Sequence, residues 1–533
     1  MSSATPHIAI LGGGVTGLSA AFHLARLHPN ARITLLEKQP RLGGWLRSER
    51  VEVEDADGHK ASILLETGPR TFRANAKPVV ELVNLLKLQS HVVTALRSSP
   101  AARNRFLHVP PTPGLQVLPS SILSLFTSPL SSLLLGAVVK ETFGAANRPE
   151  GLQDESVDAF FTRRFGEQFA RVMGSALVHG IYGADSRKLS VRAAFPSMWA
   201  AEEVGRGSVI WGEMGPPSWW GAEAKLRQES AKNRDDEEGW ELGFEDEEWD
   251  KTMKNAAVFS FRDGIEELIT ALVHALEEKP RVELKTGVDV AGASLDSETN
   301  LFEIRLANGE TVQASHVISA LPLPVLSTLL PSPTSVPHLT VNPFATVMVL
   351  NLVFAIAHLK EPLHPPGFGY LIPRPEAGYD TQGEGESKTP GILGVVFDTA
   401  SLAAQDYSVL VEGSSSPADE VKFVKMTAML GGPYPLSSAE IDVDEVLTQL
   451  SVHLGTILPK PVYHKLHRNA SSIPTYLPGH LDRVAEMRKV LQEDWSGRLK
   501  IIGAGVGGVS MSDCIKAGRE AAREIVRQGD FVL

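Results

Sequence analysis

The 533-residue chain is too long for one hydrophobic core, and its 43% hydrophobic and 21% charged residues are typical of a folded globular protein. Its formal net charge of −12 argues against nucleic acid as a partner. Ten acidic residues with no basic residue among them lie between positions 235 and 250, so most of this charge belongs to one insertion. The single cysteine, Cys514, excludes an intrachain disulfide and a cysteine-based metal site.

The first apolar run begins after only six residues, which predicts neither a secretory signal nor a cleavable transit peptide. Residues 7–11 are predicted to form a strand, and 15–27 a helix, because Val15, Leu18 and Phe22 recur at helical spacing. A second predicted strand at 33–36 ends at Glu37. Strand, glycine turn, helix, strand and terminal acid together indicate a βαβ unit.

The next long apolar stretch, 115–140, is interrupted by prolines and serines, and no stretch approaches the roughly 20 apolar residues of a membrane-spanning helix. It fits either a pair of buried helices or a helical patch that enters one leaflet of a membrane. Disorder is predicted for 221–255, inside an acidic insertion that spans 213–255, and for 378–390.

Further along the chain, 259–276 is predicted to form a strand and then an amphipathic helix. Residues 281–320 alternate like antiparallel strands, with a turn near 308–309 and a last strand that returns to the nucleotide-binding sheet. The C-terminal segment from 499 is predicted to form a strand, a glycine turn and a helix. The parallel sheet is therefore predicted to combine three distant parts of the chain.

The glycine triplet between the first strand and helix fits the dinucleotide-binding pattern G-x-G-x-x-G. Gly12 permits a tight turn, Gly14 lets the backbone approach a pyrophosphate, and Gly17 lets the helix pack closely on the strand. Glu37, twenty residues after Gly17, is placed to accept hydrogen bonds from an adenosine ribose, and its charge disfavours NADP. The alternative, a glycine turn without a ligand, is a weaker interpretation because strand, helix and acid are all in register.

Two further glycine-rich segments, RLGGW at 41–45 and IIGAGVGGVSM at 501–511, bear on which nucleotide binds. A glycine pair soon after the ribose acid resembles the second fingerprint of FAD proteins in the amine-oxidase superfamily, although it would also serve a plain turn. The C-terminal segment resembles the one that closes over the flavin there, and a second nucleotide site is the alternative. The prediction is one FAD, bound non-covalently, because the surroundings of Cys514 do not resemble a covalent flavin attachment motif.

Five segments then resemble protoporphyrinogen oxidases of the mitochondrial, oxygen-using type, in the same order along nearly the whole chain. They are LLETGPRTFR at 64–73, AARNRFLHV at 101–109, HGIYGADSRKLSVRAAFPSMW at 179–199, GFGYLIP at 367–373 and MLGG at 429–432. The resemblance implies oxidation of protoporphyrinogen IX to protoporphyrin IX, the penultimate step of haem synthesis. It implies three two-electron rounds in which hydride passes to FAD and dioxygen reoxidises the flavin, giving hydrogen peroxide.

The resemblance also assigns site residues. Arg105 matches an arginine that pairs with a substrate propionate, Leu371 and Met429 match apolar residues on either side of the macrocycle, and Gly180 matches a glycine beside the flavin. By position alone, Arg105 would be read as a surface arginine and the two apolar residues as core. His179 departs from relatives that carry arginine there, so the pocket charge could differ. The positions assigned to FAD are Gly12, Gly13, Gly14, Val15, Thr16, Gly17, Glu37, Lys38, Gly43, Gly44, Trp45, Gly68, Pro69, Arg70, Thr71, Val290, Ala504, Val509, Ser510 and Met511.

The predicted fold class is α/β: a Rossmann-like FAD-binding domain, a discontinuous α+β substrate-binding domain and a helical membrane-associating region. The predicted division is 1–90, 256–325 and 481–533 for FAD binding, 91–212 for the helical region, 213–255 for the insertion and 326–480 for the substrate. Family context favours peripheral docking of 115–140 on the mitochondrial inner membrane, on its intermembrane-space side. The resemblance also allows a homodimer and handover of product to ferrochelatase.

The sequence contains no G-x-S-x-G nucleophile elbow, phosphate-binding G-x-x-x-x-G-K or H-E-x-x-H metal helix. Other amine-oxidase-superfamily enzymes, such as polyamine oxidases and carotenoid desaturases, are the alternative enzyme class. GDP-dissociation-inhibitor-like proteins share the fold without redox catalysis and are the alternative binding class. The intact glycine turn with Glu37 and the RLGGW pair favour a protein that keeps its flavin.

Overall fold

The structure is a computed structural model. It describes residues 6–110, 112–119, 128–144, 146–214, 239–296, 298–331, 336–379, 391–409, 423–435 and 441–527. Residues 221–238 and 380–390, which belong to the two loops predicted to be disordered, lie outside the described residues, as does the middle of the apolar stretch, 120–127.

A five-stranded parallel sheet brings the three predicted parts of the chain together. In spatial order its strands are Val282–Lys285, Arg32–Leu36, His7–Leu11, His316–Ser319 and Leu499–Ile501. Side chains alternate along the first strand: Ile8 and Ile10 enter one buried cluster, and Ala9 and Leu11 enter another. The sheet is therefore covered on both faces, as parallel sheets normally are.

One face of this sheet packs against the helices Val15–Leu27, Glu266–Glu277 and Met511–Arg527. The first of these has the bounds that the apolar spacing predicts, so the βαβ unit is confirmed. The other face packs against helices Leu323–Leu329 and His480–Glu493 and a three-stranded antiparallel sheet. That sheet consists of Val290–Leu295, Phe302–Leu306 and Thr311–Ala314, and its predicted turn is confirmed at Gly309, where φ is +88°.

A seven-stranded sheet forms the second large unit. In spatial order its strands are Tyr463–Pro474, Phe344–Ala355, Phe423–Gly431, Ile392–Val396, Gly369–Leu371, Phe106–Leu107 and Gln116–Val117. Helix Val443–Leu454 covers one face and closes a core with it. Strands Phe106–Leu107 and Gln116–Val117 belong to the range 91–212, which was predicted to be helical. They are the last two strands at one edge of this sheet, and the first of them contains part of the NRFL motif.

Two small sheets lie between these units. One pairs Tyr407–Val409, Lys60–Glu66 and Ser48–Glu54, and the other pairs Phe72–Arg73, Ala256–Phe261 and Val92–Leu96. The remaining helical segments near them are Lys77–Leu85, Gln89–His91, Pro100–Arg103, Asp398–Leu402 and Ala403–Gln405.

A predominantly helical region follows the NRFL strand. Its helices are Ser131–Phe143, Val157–Phe165, Glu167–Phe169, the π-helical turn Ala170–Gly174, Ser175–Tyr182, Val191–Ala194, Pro196–Val204 and Val209–Met214. A buried ion pair of 3.1 Å between Glu141 and Arg164 fixes the first of these helices to the second. Across the described residues, no helix has the length and apolar character needed to cross a membrane.

The prediction of a disordered insertion over 213–255 is wrong for its C-terminal part. Residues Glu247–Asn255 form a helix, capped at its N-terminus by the Asp246 carboxylate and held to the core by buried Trp249 and Met253. Just before it, Trp240 stacks on the Arg519 guanidinium at 3.8 Å. A few aromatic and apolar residues within an acidic segment are enough to order it, because they bury surface on the unit that contains the parallel sheet.

Candidate functional site

The first glycine turn lies at the carboxyl ends of the parallel strands, where such sheets bind ligands. Gly12 has φ of +99° and donates its backbone N–H to Leu36 O at 2.9 Å. A Cβ on Gly17 would lie 2.0 Å from Gly12 O, so this position admits only glycine. A Cβ on Gly14 would meet nothing within 4 Å, which shows open space beside the turn.

That open space suits a pyrophosphate. Gly14 precedes helix Val15–Leu27 and has no side chain to cap it, so backbone N–H groups of the first turn, from Val15 and Thr16 onward, are available to an anion. Glu37 accepts a hydrogen bond from Gly13 N at 2.7 Å, which fixes the carboxylate beside the turn where a ribose would lie. The residues present fit the diphosphate and ribose of a dinucleotide.

The RLGGW turn packs directly against this first turn. Gly43 N donates to Gly13 O at 2.8 Å, and Gly44 has φ of +58°. Trp45 is 48% exposed, although its neighbour Leu46 is buried, so the indole borders open space. The second glycine pair thus extends the surface that the first turn begins.

Lys38 and Val290 mark the outer end of the same surface. Glu37 O accepts from Val288 N at 2.9 Å, which brings the strand that begins at Val290 next to the ribose acid. Lys38 pairs with Asp289 at 2.9 Å, and both side chains are largely exposed.

The C-terminal glycine segment closes on the first turn from the other side. A Cβ on Gly503 would lie 3.4 Å from Thr16 Oγ1, and Ala504 O accepts a hydrogen bond from the buried Tyr476 hydroxyl. Helix Met511–Arg527 is capped by Ser510, which binds the Asp513 carboxylate at 2.6 Å. Because a carboxylate already occupies this helix N-terminus, the geometry favours one nucleotide held from both ends of the chain over a second phosphate site.

Val509 and Met511 flank Ser510 and anchor the closing segment. Val509 packs on the helical cluster that contains Tyr182, and Met511 packs on the core of the parallel sheet. Nearby Cys514 is buried, and burial raises the pKa of its thiol to about 11, so it stays protonated.

The segment Gly68–Pro69–Arg70–Thr71 joins the two large units. A Cβ on Gly68 would lie 3.6 Å from Trp45 O, which places this segment at the exposed tryptophan. Arg70 is buried, and its guanidinium lies 2.5 Å from Asp398 Oδ1. No local sequence pattern marks Asp398 as its partner, because the two residues lie 328 positions apart in the chain.

The substrate residues predicted from the resemblance lie together on one face of the seven-stranded sheet. Cross-strand pairing runs from Leu371 to Gly394 and from Gly394 to Met429, and residues paired in this way share a face. A Cβ on Gly394 would lie 2.9 Å from Leu371 Cδ2, so the leucine side chain lies across this glycine. Leu371 and Met429 are both half-buried.

Two further positions complete this slot, which is formed by Arg105, Gly180, Leu371 and Met429. Leu107 pairs with Leu371, so Arg105, two residues earlier, lies on the same face at the sheet edge. Its exposed guanidinium lies 5.8 Å above the Phe368 ring. Gly180, on helix Ser175–Tyr182, faces Leu371: a Cβ there would lie 2.8 Å from Leu371 Cδ2.

The slot faces the glycine turns. Asn351 and Asn469 lie on the same sheet face as Met429, and their side-chain amides donate to Glu66 O at 3.1 Å and Thr67 O at 2.9 Å. These bonds place that face against the chain leading into Gly68. A flat ligand in the slot would therefore lie beside the space that Trp45 borders.

His179 adds no positive charge to the slot. Its side chain is 3% exposed, and burial lowers the pKa to about 4, so the imidazole is neutral at physiological pH. Nδ1 donates to Ile372 O at 2.7 Å, and Nε2 accepts from the Tyr379 hydroxyl at 2.7 Å. No local sequence pattern predicts the contact between His179 and Tyr379, which are 200 positions apart.

Comparison with known proteins agrees with this geometry. The family model for flavin containing amine oxidoreductases matches residues 15–526. The chain belongs to this family, and its cofactor is FAD. Protoporphyrinogen oxidase of Homo sapiens is 31% identical over 97% of this chain and 98% of its own length, and that of Schizosaccharomyces pombe is 29% identical over the same shares.

Solved structures support the fold. A crystal structure from Exiguobacterium sp. 255-15 has a TM-score of 0.71 at 20% identity, covering 99% of this chain and 100% of that one. Cyclohexylamine oxidase from Brevibacterium oxydans has a TM-score of 0.58 at 14% identity, over 99% and 100%. The predicted α/β fold class, with its Rossmann-like domain, is confirmed, whereas membrane association of the helical region stays a prediction.

Proposed function

We propose that the protein is an FAD-dependent oxidase that converts protoporphyrinogen IX to protoporphyrin IX. The observation that carries the proposal is the slot: one sheet face presents Arg105, Leu371 and Met429 together, opposite the glycine turns. Near-full-length similarity to protoporphyrinogen oxidases supports the same substrate. The overall reaction removes six electrons and six protons in three rounds, with three dioxygen molecules reduced to hydrogen peroxide.

The chain's own residues bind and orient the substrate. Arg105 offers a planar guanidinium that can take both oxygens of a propionate, whereas lysine could offer only a single ammonium. Leu371 and Met429 present apolar surface to the macrocycle. Gly180, whose Cβ would lie 2.8 Å from Leu371 Cδ2, leaves room for the leucine side chain. When bound, FAD supplies the two-electron acceptor, so the protein mainly contributes alignment and the exclusion of water.

The residues proposed to hold FAD belong to four segments: the first glycine turn, the RLGGW turn, the segment at Gly68 and the C-terminal glycine segment. The first turn would bind the diphosphate, and Glu37 the adenosine ribose. The exposed Trp45 and the C-terminal segment at Ala504 would enclose the remainder. All four segments fall within the ranges predicted to bind FAD, 1–90 and 481–533.

Protoporphyrin fluorescence tests the proposal directly. The FAD-loaded protein is mixed with protoporphyrinogen IX in air, and fluorescence is followed against a heat-inactivated sample that measures autoxidation. A rate well above that control is expected. A flat trace from protein that retains its flavin would overturn the substrate assignment, and amines and carotenoids would then be the substrates to test.

Peripheral membrane association forms part of the proposal. On helix Ser131–Phe143, Leu133 and Leu134 pack against the cluster that contains Leu371, while Val139 and Phe143 are 57% and 81% exposed. A helix that only covered a soluble core would carry polar residues on its outer face. Apolar residues on both faces fit a helix that covers the slot and contacts lipid.

Vesicle flotation tests this association. Changing Val138, Val139 and Phe143 to serine should reduce co-flotation of the protein with phosphatidylcholine–cardiolipin vesicles while leaving flavin content unchanged. Unaltered flotation would contradict the docking surface. The proposed location is the intermembrane-space side of the inner mitochondrial membrane. The proposed partners are a second copy of the chain, in a homodimer, and ferrochelatase, which would receive the product.

A further inference from the structure

His179 connects two sides of the slot just where they touch. It lies beside Gly180 on helix Ser175–Tyr182, and its Nδ1 is bonded to the carbonyl of Ile372, the residue after Leu371. A Cβ on Gly180 would lie 2.8 Å from Leu371 Cδ2, so the helix and the strand meet at this point. The hydrogen bond therefore fixes the distance between the two walls.

Tyr379 extends this connection to the third wall. Its hydroxyl donates to His179 Nε2 at 2.7 Å, and its ring lies edge-on to Tyr434 with the centroids 5.0 Å apart. Tyr434 follows the strand Phe423–Gly431, which carries Met429. One histidine and two tyrosines thus link the three segments that present Gly180, Leu371 and Met429.

The hydrogen-bond chemistry requires one arrangement of protons. A carbonyl oxygen can only accept, so Nδ1 carries the proton, and the neutral ring then accepts the tyrosine proton at Nε2. The charged groups that act on the imidazole are Asp185 and Arg374, which oppose each other, and Arg187 stacks on the outer side of Tyr379. Both ring nitrogens are satisfied without a charge.

We propose that His179 and Tyr379 are positioning residues that hold the Gly180 helix against the Leu371 strand, and so fix the placement of the Leu371 side chain and the alignment of the macrocycle with the flavin. The inference rests on the proposed function, because it concerns the same slot. It assigns the two residues no contact with substrate. Their effect is expected in kcat, since a small misplacement of the reacting carbon slows the reaction more than it weakens binding.

The test compares three tyrosine and histidine variants of the full-length, FAD-loaded enzyme. Tyr379→Phe removes the hydroxyl from His179, His179→Leu removes both hydrogen bonds, and His179→Asn keeps an amide that can donate to Ile372 O. The matched control is Tyr370→Phe, which removes a buried tyrosine hydroxyl bonded to His453 Nδ1 from the strand that carries Leu371, on the opposite face of the sheet. Steady-state kcat and KM for protoporphyrinogen IX, flavin content and Tm are measured for each.

His179→Leu is expected to lower kcat roughly 10-fold or more, with KM changed less than about 3-fold. Tyr379→Phe should lower kcat by a smaller factor, and His179→Asn should recover part of the loss. Tyr370→Phe should lower Tm to a similar extent as Tyr379→Phe with kcat unchanged. The kcat of the wild type should show no titration of an imidazole between pH 6 and 8, since the ring is neutral throughout.

Three results would contradict the proposal. If Tyr379→Phe and His179→Leu lower only Tm, as the control does, then the two residues merely stabilise the fold. A rise in KM as the wild type is taken from pH 6 to 8, lost in His179→Leu, would make His179 a substrate-binding cation instead. A wild type that holds FAD but oxidises no protoporphyrinogen would overturn the proposed function, and this inference with it.

Discussion

The proposed flavin-binding turns and the proposed substrate slot face each other, but they are built from different chemical groups. The turns present backbone N–H groups, and their shape depends on glycines that lie within a few residues of one another. The slot combines three side chains and one glycine from four segments, spanning Arg105 to Met429, that meet only in the folded protein. The turns depend on the absence of side chains. The slot depends on the identity of its side chains and on the neighbouring residues that hold them in place.

The joint between the two regions is a third kind of structure. Buried Arg70 and Asp398 form an ion pair, and Thr427 and Asn351 extend it by hydrogen bonds into the sheet that carries Met429. At this joint an ion pair holds the parallel-sheet unit and the seven-stranded sheet together. In contrast, the turns present backbone groups to a ligand, and the slot presents mainly apolar side chains. Substitutions at each place should therefore fail in different ways.

The largest effect is expected at the first turn. Gly17→Ala would place a Cβ 2.0 Å from Gly12 O, so the turn must distort and the protein should be purified without flavin. Gly14→Ala meets nothing within 4 Å, so this variant should fold normally and lose flavin affinity only because the methyl group enters the diphosphate space. Flavin-to-protein absorbance ratios and Tm distinguish the two. Full flavin content in Gly17→Ala would contradict the backbone account of this region.

The joint should show the next largest effect. Asp398→Asn leaves the buried Arg70 guanidinium unpaired, which should lower the free energy of unfolding by about 3–5 kcal/mol. Asp289→Asn, which breaks the exposed pair with Lys38, should cost about 0–1 kcal/mol. Urea unfolding followed by flavin fluorescence measures both. Equal losses would mean that the buried pair does not hold the two regions together.

At the slot, Arg105→Ala should raise KM by roughly 10- to 100-fold with little change in kcat, because a charge-assisted bond to the propionate is lost in both ground and transition states. Arg103→Ala removes an exposed arginine two residues earlier and serves as the control for net charge. Steady-state kinetics with protoporphyrinogen IX decide the outcome. A collapse of kcat at unchanged KM would contradict the propionate role.

The last prediction concerns Glu66, at the end of strand Lys60–Glu66. Burial raises its pKa from 4.5 to about 7, although Ile265 N and the Ser48 hydroxyl donate to it. The folded state therefore binds the proton more tightly than the unfolded state, and stability should fall as pH rises from about 4.5 to about 7, with a slope of about 1 kcal/mol per pH unit. Glu66→Gln should remove this slope.

The matched control for Glu66→Gln is Glu52→Gln, an exposed carboxyl on the neighbouring strand. It should leave the dependence of unfolding free energy on pH as in the wild type. Urea titrations between pH 4.5 and 8 compare the three proteins. An unchanged slope in Glu66→Gln would assign the pH dependence to another group.

The contrast between the regions also explains which parts of the structure the sequence could predict. The strand at 7–11, the helix at 15–27 and the three-part parallel sheet follow from local apolar spacing and glycine placement, and all are confirmed. The contacts of Arg70 with Asp398 and of His179 with Tyr379 join residues far apart in the chain, and no local pattern marks them. Resemblance named the slot residues, but only the sheet register shows that Leu371 and Met429 share a face.

The parallel sheet has a consequence for synthesis of the protein. Strand His7–Leu11 pairs on one side with Arg32–Leu36, but on the other side with His316–Ser319, and Ser315 reaches back to His7 across 308 residues. At translation rates of 5–20 residues per second, that partner emerges roughly 15 to 60 s later. An apolar strand edge is exposed during this interval, when it can pair with another chain. If strand Leu499–Ile501 and helix Met511–Arg527 help to hold the flavin, as proposed, flavin capture is expected only after that strand has been made, and bound flavin would then report that it has docked.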